Sequence, residues 1–477
     1  MAMVKRRRKK KTATQIQQKP VQLALRLRPE LVFAILSLSA GLFMAFATGP
    51  YHAPDEGNHF MRAFQLSQGQ VLPTLVRHDD GSVDAGAVLP VCLRETSEIF
   101  MRIKGKPSEK VSPVDWKEII KRPFAPKPEA FTGFHNTLLY PPISYIPQVV
   151  GIWLTRPLGV STLVMMYAGR VLNLLCWATL VFFAIRLMPV QKWVVALIGL
   201  MPMSAFIAAS LSSDPMTNGM SMLFVATVAQ ACLGEQDGIT LYKKIGMVLL
   251  SMGIAVAKIV YCPLIALVLL IPGERLGGLK RKIIFCMTVV GCAAITAAAW
   301  SYCIKGALVT RGSIDVPAQA SFVLHNPVTF LLVVIDTINN DWIRYSLELV
   351  GVLGWLDTIL PSWIYLSYPA ITILVATISG SDARKLSTKG RVMLLAVCLI
   401  SVLLVETSLF ITWTKPGARI ISGVQGRYFI PLLVPLFLIL HDSWAKGPEK
   451  WLGPMVTVYS AGVLATTCVV IGGRYYW

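Results

Sequence analysis

The densest group of side chains that can do chemistry follows the first apolar stretch, at residues 51–62. It reads Tyr-His-Ala-Pro-Asp-Glu-Gly-Asn-His-Phe-Met-Arg. The proline can start a helix, whose first turn favours the anions Asp55 and Glu56. Spacings of three and four residues then place Asp55, His59 and Arg62 along one face. Such a face suits a carboxylate base for a hydroxyl group, with a clamp for a phosphate. A helix-capping acidic pair at the membrane interface is the alternative.

A second group of polar side chains lies in Gly-Val-Gln-Gly-Arg-Tyr, at residues 423–428. Arg427 has the planar fork that binds a phosphate through two hydrogen bonds, and Gln425 and Tyr428 can add further hydrogen bonds. Anchoring of the arginine and the tyrosine at the membrane interface is the alternative. Lys258 interrupts an otherwise apolar run, and an ionisable group at such a depth predicts a functional site.

Acidic and aromatic residues between the apolar runs give weaker signals. Asp214 stands in Ser-Ser-Asp-Pro, which is typical of a helix N-cap, and it can reach the site only if it lies outside the cytoplasm. Asp357 and Trp355 share a Trp-Leu-Asp-Thr turn. They can hold a sugar, since carbohydrate sites pair hydrogen-bonding acids with an aromatic face, but an interfacial tryptophan explains the turn as well.

The composition determines the class of protein that must position these side chains. The chain has 477 residues, of which 55% are hydrophobic and 15% are charged, whereas soluble domains carry about 25% charged residues. The sequence contains several apolar runs of about twenty residues, and each can cross a bilayer as a helix. The sequence therefore predicts an all-α polytopic membrane protein with about eleven transmembrane helices, and it excludes a water-soluble enzyme.

The net charge of +20 has a topological explanation. A basic run, Lys5 to Lys11, precedes the first apolar stretch and predicts a cytoplasmic N-terminus, so no nucleic-acid partner is expected. The nine cysteines form no CxxC pair and no Cys/His cluster. That spacing disfavours structural disulfides and a zinc site.

Apolar and polar stretches divide the chain into six segments, and the acidic pair falls in the largest polar one. The segments are a basic cytoplasmic tail at 1–30, the first transmembrane helix at 31–49, a large extracytoplasmic loop at 50–140, a transmembrane bundle at 141–303, a second extracytoplasmic loop with an interfacial helix at 304–360, and C-terminal transmembrane helices at 361–477.

Two topologies remain open between residues 140 and 282. If Ile143–Leu154 spans the membrane and Ile245–Ile271 is one helix, Asp214 lies inside the cytoplasm. If the first segment is only partly inserted and the second is broken at Lys258, Asp214 lies outside. The basic residues of the neighbouring loops favour the second topology.

The order of these motifs resembles the GT-C glycosyltransferases, which include the protein O-mannosyltransferases and the lipid A aminoarabinose transferases. The shared features are an acidic pair after the first span, a long external loop, and an aromatic-Pro-Pro entry into the membrane at Tyr140. The sequence also resembles a narrower family of bacterial multipass proteins of unknown function, placed in the same superfamily. The segments that carry this resemblance are Pro54–Leu66, Ser213–Asn218, Gly351–Thr358 and Gly423–Pro431.

The resemblance implies an activity and roles for individual residues. GT-C enzymes move a sugar from a polyprenyl-phosphate carrier to an acceptor on the non-cytoplasmic face of the membrane. Asp55 is then the catalytic base for the acceptor hydroxyl, and Glu56 orients the acceptor or holds a cation. The residues expected to bind substrate are His59, Arg62, Tyr140, Asp214, Lys258, Trp355, Asp357, Gln425, Arg427 and Tyr428.

The function expected is transfer of a hexose, with inversion, to an envelope glycan such as O-antigen in a bacterial inner membrane, with a periplasmic active site. The expected partners are a polyprenyl-phosphate-linked sugar, a glycan or lipid-linked saccharide acceptor, and membrane lipid. No metal site is predicted, although a divalent cation near Glu56, His59 and His135 remains open. A lipid-linked sugar flippase and a polysaccharide polymerase are the alternatives.

Overall fold

The computed structural model describes residues 27–79, 83–235, 238–307, 314–379, 386–441 and 449–477. The basic run Lys5 to Lys11 lies outside these residues. Over the described residues the chain is mostly helical, with two small sheets.

The helices before residue 234 build the segment between the first helix and residue 145 and the first part of the bundle. They are α1 Pro29–Ala47, α2 Glu56–Ser67, α3 Val91–Met101, α4 Pro113–Lys121, α5 His135–Leu138, α6 Ile146–Thr155, α7 Thr162–Leu187, α8 Lys192–Leu200, α9 Pro202–Ala208 and α10 Asp214–Leu233. Short 3-10 helices cover Pro142–Tyr145 and Arg156–Leu158. α7 packs against α1, α6 and α10. It begins after Ser161, whose hydroxyl accepts a hydrogen bond from the Val164 N–H over 3.3 Å, as helix N-caps do.

The later helices complete the bundle. They are α11 Leu241–Ala257, α12 Gly273–Leu276, α13 Leu279–Ile304, α14 Val316–His325, α15 Pro327–Gly351, α16 Ser362–Ile378, α17 Thr388–Trp413, α18 Ile430–Leu438 and α19 Glu449–Tyr475. Three 3-10 helices lie between them, at Ile259–Leu270, Lys305–Ala307 and Gly426–Phe429. α11 packs on α13, and the 3-10 helix Ile259–Leu270 packs on α17.

Six of the described helices are long and apolar enough to cross a membrane: α1, α7, α10, α13, α17 and α19. α14 and α15 pass the same test together, bent by 106°, which gives seven if they form one span. The chain is therefore a multipass membrane protein, but the expected count of about eleven spans is not confirmed. The apolar run at 193–211 is divided into α8 and α9 because Pro202 cannot continue α8.

The chain breaks at Lys258, as one of the two topologies requires. α11 ends at Ala257, and Lys258 has extended backbone (φ −152°, ψ 109°) before the 3-10 helix begins. α6 has only 10 residues, too few to cross a bilayer upright at about 1.5 Å per residue. Both observations agree with the topology that keeps Asp214 outside.

The expectation of an all-α fold needs a correction in the segment between α1 and α6. Three antiparallel strands, β1 Thr74–Arg77, β2 Val83–Pro90 and β3 Glu129–Gly133, pair in that order, and β2 packs on α2, α3 and α5. A smaller sheet pairs β4 Val352–Leu353 with β5 Thr358–Ile359. β1, β4 and β5 have four residues or fewer, and α3 and α4 separate β2 from β3, so the sequence carries little period-two signal for these sheets.

Candidate functional site

A cavity of about 420 Å³ lies where the start of α2 meets α5, α11, α13, α17 and the segment before α18. Five predicted site residues line it: Asp55, Tyr140, Lys258, Gln425 and Tyr428. Much of the remaining wall is apolar and comes from α13 and α17, including Ala297, Ile304, Val405 and Leu409. A cavity with a polar end and an apolar wall suits an amphiphilic ligand.

The carboxylate of Asp55 forms no hydrogen bond with any residue that the structure describes. It precedes α2 in a left-handed backbone conformation (φ 58°, ψ 16°), and its side chain makes no capping hydrogen bond. The helix-cap alternative is therefore wrong for this residue. Non-glycine residues in such a conformation are uncommon and are concentrated at functional sites. The carboxylate lines the cavity and is available to accept a proton from a bound hydroxyl.

Glu56, the next residue, forms a buried ion pair with Arg170. Its Oε1 accepts from Arg170 Nε over 2.8 Å and from the Leu211 N–H over 3.1 Å. Its Oε2 accepts from Arg170 Nη2 over 2.5 Å and from the Ala53 N–H over 3.3 Å. Both side chains of the pair are 0% exposed. The carboxylate already has four donors, so no lone pair is left for an acceptor or a cation.

Arg170 connects this ion pair to the end of α1. Its remaining N–H groups donate to the carbonyl oxygens of Ala45, Thr48 and Gly49 over 2.7 to 2.9 Å. Carbonyls at a helix C-terminus lack partners within the helix. The clamp therefore joins α1, α2 and α7, and it fixes the backbone on which Asp55 stands.

A cluster of three charged side chains, Lys258, Asp214 and Arg427, forms the polar end of the site. Lys258 Nζ lies 2.6 Å from Asp214 Oδ1, and Arg427 Nε lies 3.5 Å from Asp214 Oδ2. The side chains of Lys258 and Asp214 are 12% and 10% exposed, and that of Arg427 is 5% exposed. Arg427 Nε faces Asp214, whereas Arg427 Nη1 is buried and has no hydrogen-bond partner. Buried donors without partners are costly, so they indicate a place for an anionic ligand.

Asp214 is not the helix cap that the sequence predicts. It is the first residue of α10, and the cap position belongs to Ser213, whose side chain makes no capping hydrogen bond. The carboxylate instead pairs with Lys258, which lines the cavity beside Asp55. This neighbourhood is the one expected if Asp214 lies outside the cytoplasm.

His59 lies directly behind the cavity wall. Its Nδ1 is 2.7 Å from the Tyr145 hydroxyl, and its ring stacks on Tyr140 with centroids 6.0 Å apart. Burial, helped by the nearby cations Arg427 and Lys258, lowers the pKa of His59 to about 3. The imidazole is therefore neutral, and it supports the position of Tyr140.

Arg62 forms its hydrogen bonds within the segment between α1 and α6. Its guanidinium donates to Gln65 Oε1 over 2.6 Å and to the carbonyl oxygens of Val71 and Tyr140 over 3.0 Å each. Burial lowers its pKa to about 10, so the side chain stays charged near neutral pH. Arg62 is not among the residues that line the cavity, and its bond to the Tyr140 carbonyl positions that residue.

The Trp355 turn lies apart from the cavity wall. The Trp355 N–H donates to the Tyr51 carbonyl over 3.3 Å, and Lys104 Nζ lies 3.2 Å from the centroid of its ring. Asp357 pairs with Arg474 over 3.0 Å. The face of Trp355 under Lys104 is covered, and Asp357 is bound to an arginine, so neither residue offers the open sugar platform that the sequence predicts.

The cavity also has polar wall residues that sequence reasoning missed. Asn136 accepts a hydrogen bond from Asn58 Nδ2 over 2.6 Å, which leaves its own N–H groups for the cavity. Trp300 also lines the wall and donates to the Leu139 carbonyl over 2.9 Å. Both are single polar or aromatic residues without a motif, so only folding reveals their position.

Two charged residues were missed for different reasons. Burial lowers the pKa of Lys104, while the nearby carboxylate of Asp55 raises it, which shows that the two groups are within electrostatic reach. Lys104 lies in a polar loop and no sequence signal distinguishes it. Glu406 is buried in α17 with both carboxylate oxygens unbonded, and an acid inside an apolar run is a signal that the sequence did contain.

No protein ligand set for a metal is formed by the part of the chain that the structure describes. No three His, Cys, Asp or Glu side chains there come together in a way that can hold a metal ion. Glu56 is bonded to Arg170, and His59 to Tyr145. The divalent cation that the sequence left open therefore gains no support from these residues.

Comparison with known proteins gives one match. A family model of predicted membrane proteins, DUF2142, matches residues 38–436. No curated protein and no solved structure matches the chain. The matched stretch contains the cavity and the charged cluster beside it. Because the match covers most of the sequence, the chain belongs to the DUF2142 family of predicted membrane proteins.

Proposed function

We propose that the chain is a membrane glycosyltransferase of the GT-C type. It moves a hexose from a polyprenyl-phosphate carrier to a hydroxyl of an envelope glycan, such as O-antigen. One observation carries the proposal: the wall of one cavity combines Asp55, whose side chain makes no capping hydrogen bond, with Lys258 of the charged cluster and an apolar face, and the unpartnered Arg427 Nη1 belongs to the same cluster. A base, a phosphate site and a lipid site are what this reaction requires of a protein.

The two ends of the cavity fit the two parts of the donor. Arg427 and Lys258 supply cationic donors for the phosphate, and an arginine fork can bind it through two hydrogen bonds. The apolar residues of α13 and α17 accept the first isoprene units of the carrier. The volume of about 420 Å³ falls within the range of about 300–1,000 Å³ that is usual for small-molecule sites.

The sugar lies between these ends in the proposed complex. Asn136 and Gln425 line that region and carry amide groups, and the Gln425 Oε1 atom is buried without a hydrogen-bond partner. Sugar hydroxyls can donate to this oxygen and accept from the amide N–H groups. Trp300 adds an aromatic surface to the same wall.

The proposed reaction is a single displacement. Asp55 takes the proton of the acceptor hydroxyl, and the acceptor oxygen forms a bond to the anomeric carbon. The bond between that carbon and the phosphate oxygen breaks, and its electron pair stays on the phosphate. The donor, a phosphodiester with one negative charge, becomes a phosphomonoester with two, while the base gains a proton. Attack opposite the leaving group inverts the anomeric carbon.

The proposal includes a location. The site faces the extracytoplasmic side of a bacterial inner membrane, and the N-terminus is cytoplasmic. The basic run before α1 supports this orientation through the positive-inside rule. The resemblance of the motif order to GT-C enzymes supports the assignment of the donor.

The test uses a bacterial strain from which the gene for this protein has been deleted. Envelope polysaccharide is extracted and analysed by mass spectrometry and linkage analysis after complementation with wild type, Asp55→Asn or Asp79→Asn. Asp79 is an exposed acid of the same external segment and serves as the matched control. We expect wild type and Asp79→Asn to restore a hexose on the glycan, and Asp55→Asn to be expressed but to restore none.

The same strains, together with a liposome assay on the purified chain, distinguish the alternative functions. If Asp55→Asn restores the hexose as fully as wild type, Asp55 is not the catalytic base. If the deletion strain makes a shorter polysaccharide that still carries its hexose side residues, the chain is a polymerase. A lipid-linked sugar that crosses acceptor-free liposomes containing the purified chain, with Asp55→Asn as active as wild type, would indicate a flippase.

A further inference from the structure

The proposed phosphate site contains more positive than negative side chains, and it also contains an acid, which binding of a phosphate does not by itself require. Lys258 and Arg427 supply two positive charges, and Asp214 supplies one negative charge between them. Lys258 lines the cavity, whereas Asp214 and Arg427 are not among the lining residues and pair with each other beside it. Asp214 therefore lowers the positive charge of the wall without occupying the place of a ligand.

His59 and the tyrosines that face this cluster add no charge to it. His59 is neutral because burial lowers its pKa to about 3. The remaining neighbours are phenols, with Lys258 Nζ lying 5.4 Å from the Tyr140 ring centroid and 4.9 Å from that of Tyr428. Asp55 also lies on the cavity wall and interacts with Arg427 electrostatically. In the proposed reaction it has taken a proton, and is neutral, when the phosphomonoester has formed. The cluster itself thus carries two cations against one anion, a net single positive charge.

A single positive charge matches one form of the carrier better than the other. The donor is a phosphodiester with one negative charge, whereas the carrier left after transfer is a phosphomonoester with about two. In a site shielded from water, an unmatched charge is costly. The charge of the cluster equals that of the donor phosphate in magnitude, whereas the phosphate of the product exceeds it by one negative charge.

We propose that Asp214 is a positioning and specificity residue that matches the wall to a singly charged phosphodiester and so favours release of the doubly charged phosphomonoester product. Asp214 acts through Lys258 and Arg427, whose side chains it holds at 2.6 Å and 3.5 Å. This inference rests on the proposed function, because it takes the ligand of the cavity to be a lipid phosphate.

The structure supplies a matched control for this charge. Asp357 is also a buried acid, with a side chain 9% exposed, and it also pairs with an arginine, Arg474, over 3.0 Å. Neither Asp357 nor Arg474 lines the cavity. Neutralising Asp357 therefore repeats the loss of a buried ion pair while it leaves the charge of the cavity wall unchanged.

The experiment compares two probes on the purified full-length chain in detergent: farnesyl phosphate, a monoester, and farnesyl methyl phosphate, a diester. Their dissociation constants are measured by titration calorimetry on wild type, Asp214→Asn and Asp357→Asn at about pH 8, where the monoester carries two charges. The readout is the ratio of the two constants for each protein. This ratio does not depend on the fraction of the sample that is folded.

We expect Asp214→Asn to shift this ratio toward the monoester by roughly tenfold or more, since the added positive charge acts on one further negative charge at short range. Asp357→Asn leaves the ratio unchanged. At about pH 5 the monoester carries mainly one charge, so the shift produced by Asp214→Asn largely disappears. Lys258→Met, which removes a cation, shifts the ratio the opposite way and serves as the second variant if Asp214→Asn does not fold.

The outcomes distinguish the two proposals. If both probes bind wild type and neither Asp214→Asn nor Lys258→Met changes the ratio, the role of Asp214 is overturned and the proposed function stands. If Asp357→Asn shifts the ratio as much as Asp214→Asn does, the effect is general and the assignment to Asp214 is also overturned. If neither probe binds wild type, the phosphate site itself is wrong, and the proposed function fails with it.

Discussion

Asp55 and Glu56 are adjacent in the sequence and carry the same functional group, yet the structure predicts opposite consequences when each carboxylate is changed to an amide. Asp55→Asn removes no hydrogen bond from a described residue and keeps a residue type that tolerates left-handed backbone. We expect its free energy of unfolding to remain within about 0.5 kcal/mol of wild type.

Glu56→Gln removes the counter-charge of Arg170 in a fully buried pair. All four groups that contact the carboxylate are donors, and a glutamine amide has only one acceptor oxygen, so its NH₂ group faces donors. Removing one partner of a buried ion pair costs about 3–5 kcal/mol. We expect a loss of stability in this range, with detachment of the end of α1 that Arg170 holds.

The assay is unfolding of the purified variants in detergent, followed by tryptophan fluorescence and compared with wild type under the same conditions. A double-mutant cycle with Arg170→Met adds a second measurement, because residues in one ion-pair network are expected to couple by at least about 0.5 kcal/mol. Equal stability of Glu56→Gln and wild type, or a loss in Asp55→Asn as large as in Glu56→Gln, would refute the division of roles between the two acids.

Two further predictions concern the support of the site. A Cβ atom at Gly426 would lie 2.0 Å from the Tyr345 carbonyl oxygen, so Gly426→Ala must move the segment that carries Arg427. We expect a loss of about 1–3 kcal/mol in unfolding together with weaker binding of farnesyl methyl phosphate, whereas Gly291→Ala, in open space on α13, changes neither binding nor packing. The pKa of His59 is about 3 in the folded chain and about 6.5 in an unfolded one. The unfolded state therefore binds a proton first as the pH falls, and stability that is complete above about pH 6.5 declines toward pH 3, by about 2 kcal/mol at pH 5. Unfolding midpoints across this range should show the decline in wild type and lack this contribution in His59→Gln; identical pH profiles for the two proteins would contradict the neutral, buried imidazole.

The sequence alone determined the class of protein and several residues of the site. Long apolar runs are a property of consecutive residues, so they predict membrane helices without knowledge of their packing. A charge inside or beside such a run is equally visible, because hydrocarbon makes it costly. Asp55, Lys258 and Arg427 were found in this way, and so was the break of the chain at Lys258, which the structure confirms.

Only the tertiary structure decided which charges are partners and which are free. Glu56 meets an arginine 114 residues away, and Asp214 meets a lysine 44 residues away, and no local spacing encodes either pairing. The number of full spans and the sheet of β1, β2 and β3 could not be predicted from the sequence either, because Pro-broken helices and short strands depend on packing against distant elements. Two neighbouring acids therefore look alike in the sequence, and they differ only because folding delivers four hydrogen-bond donors to one of them and a cavity to the other.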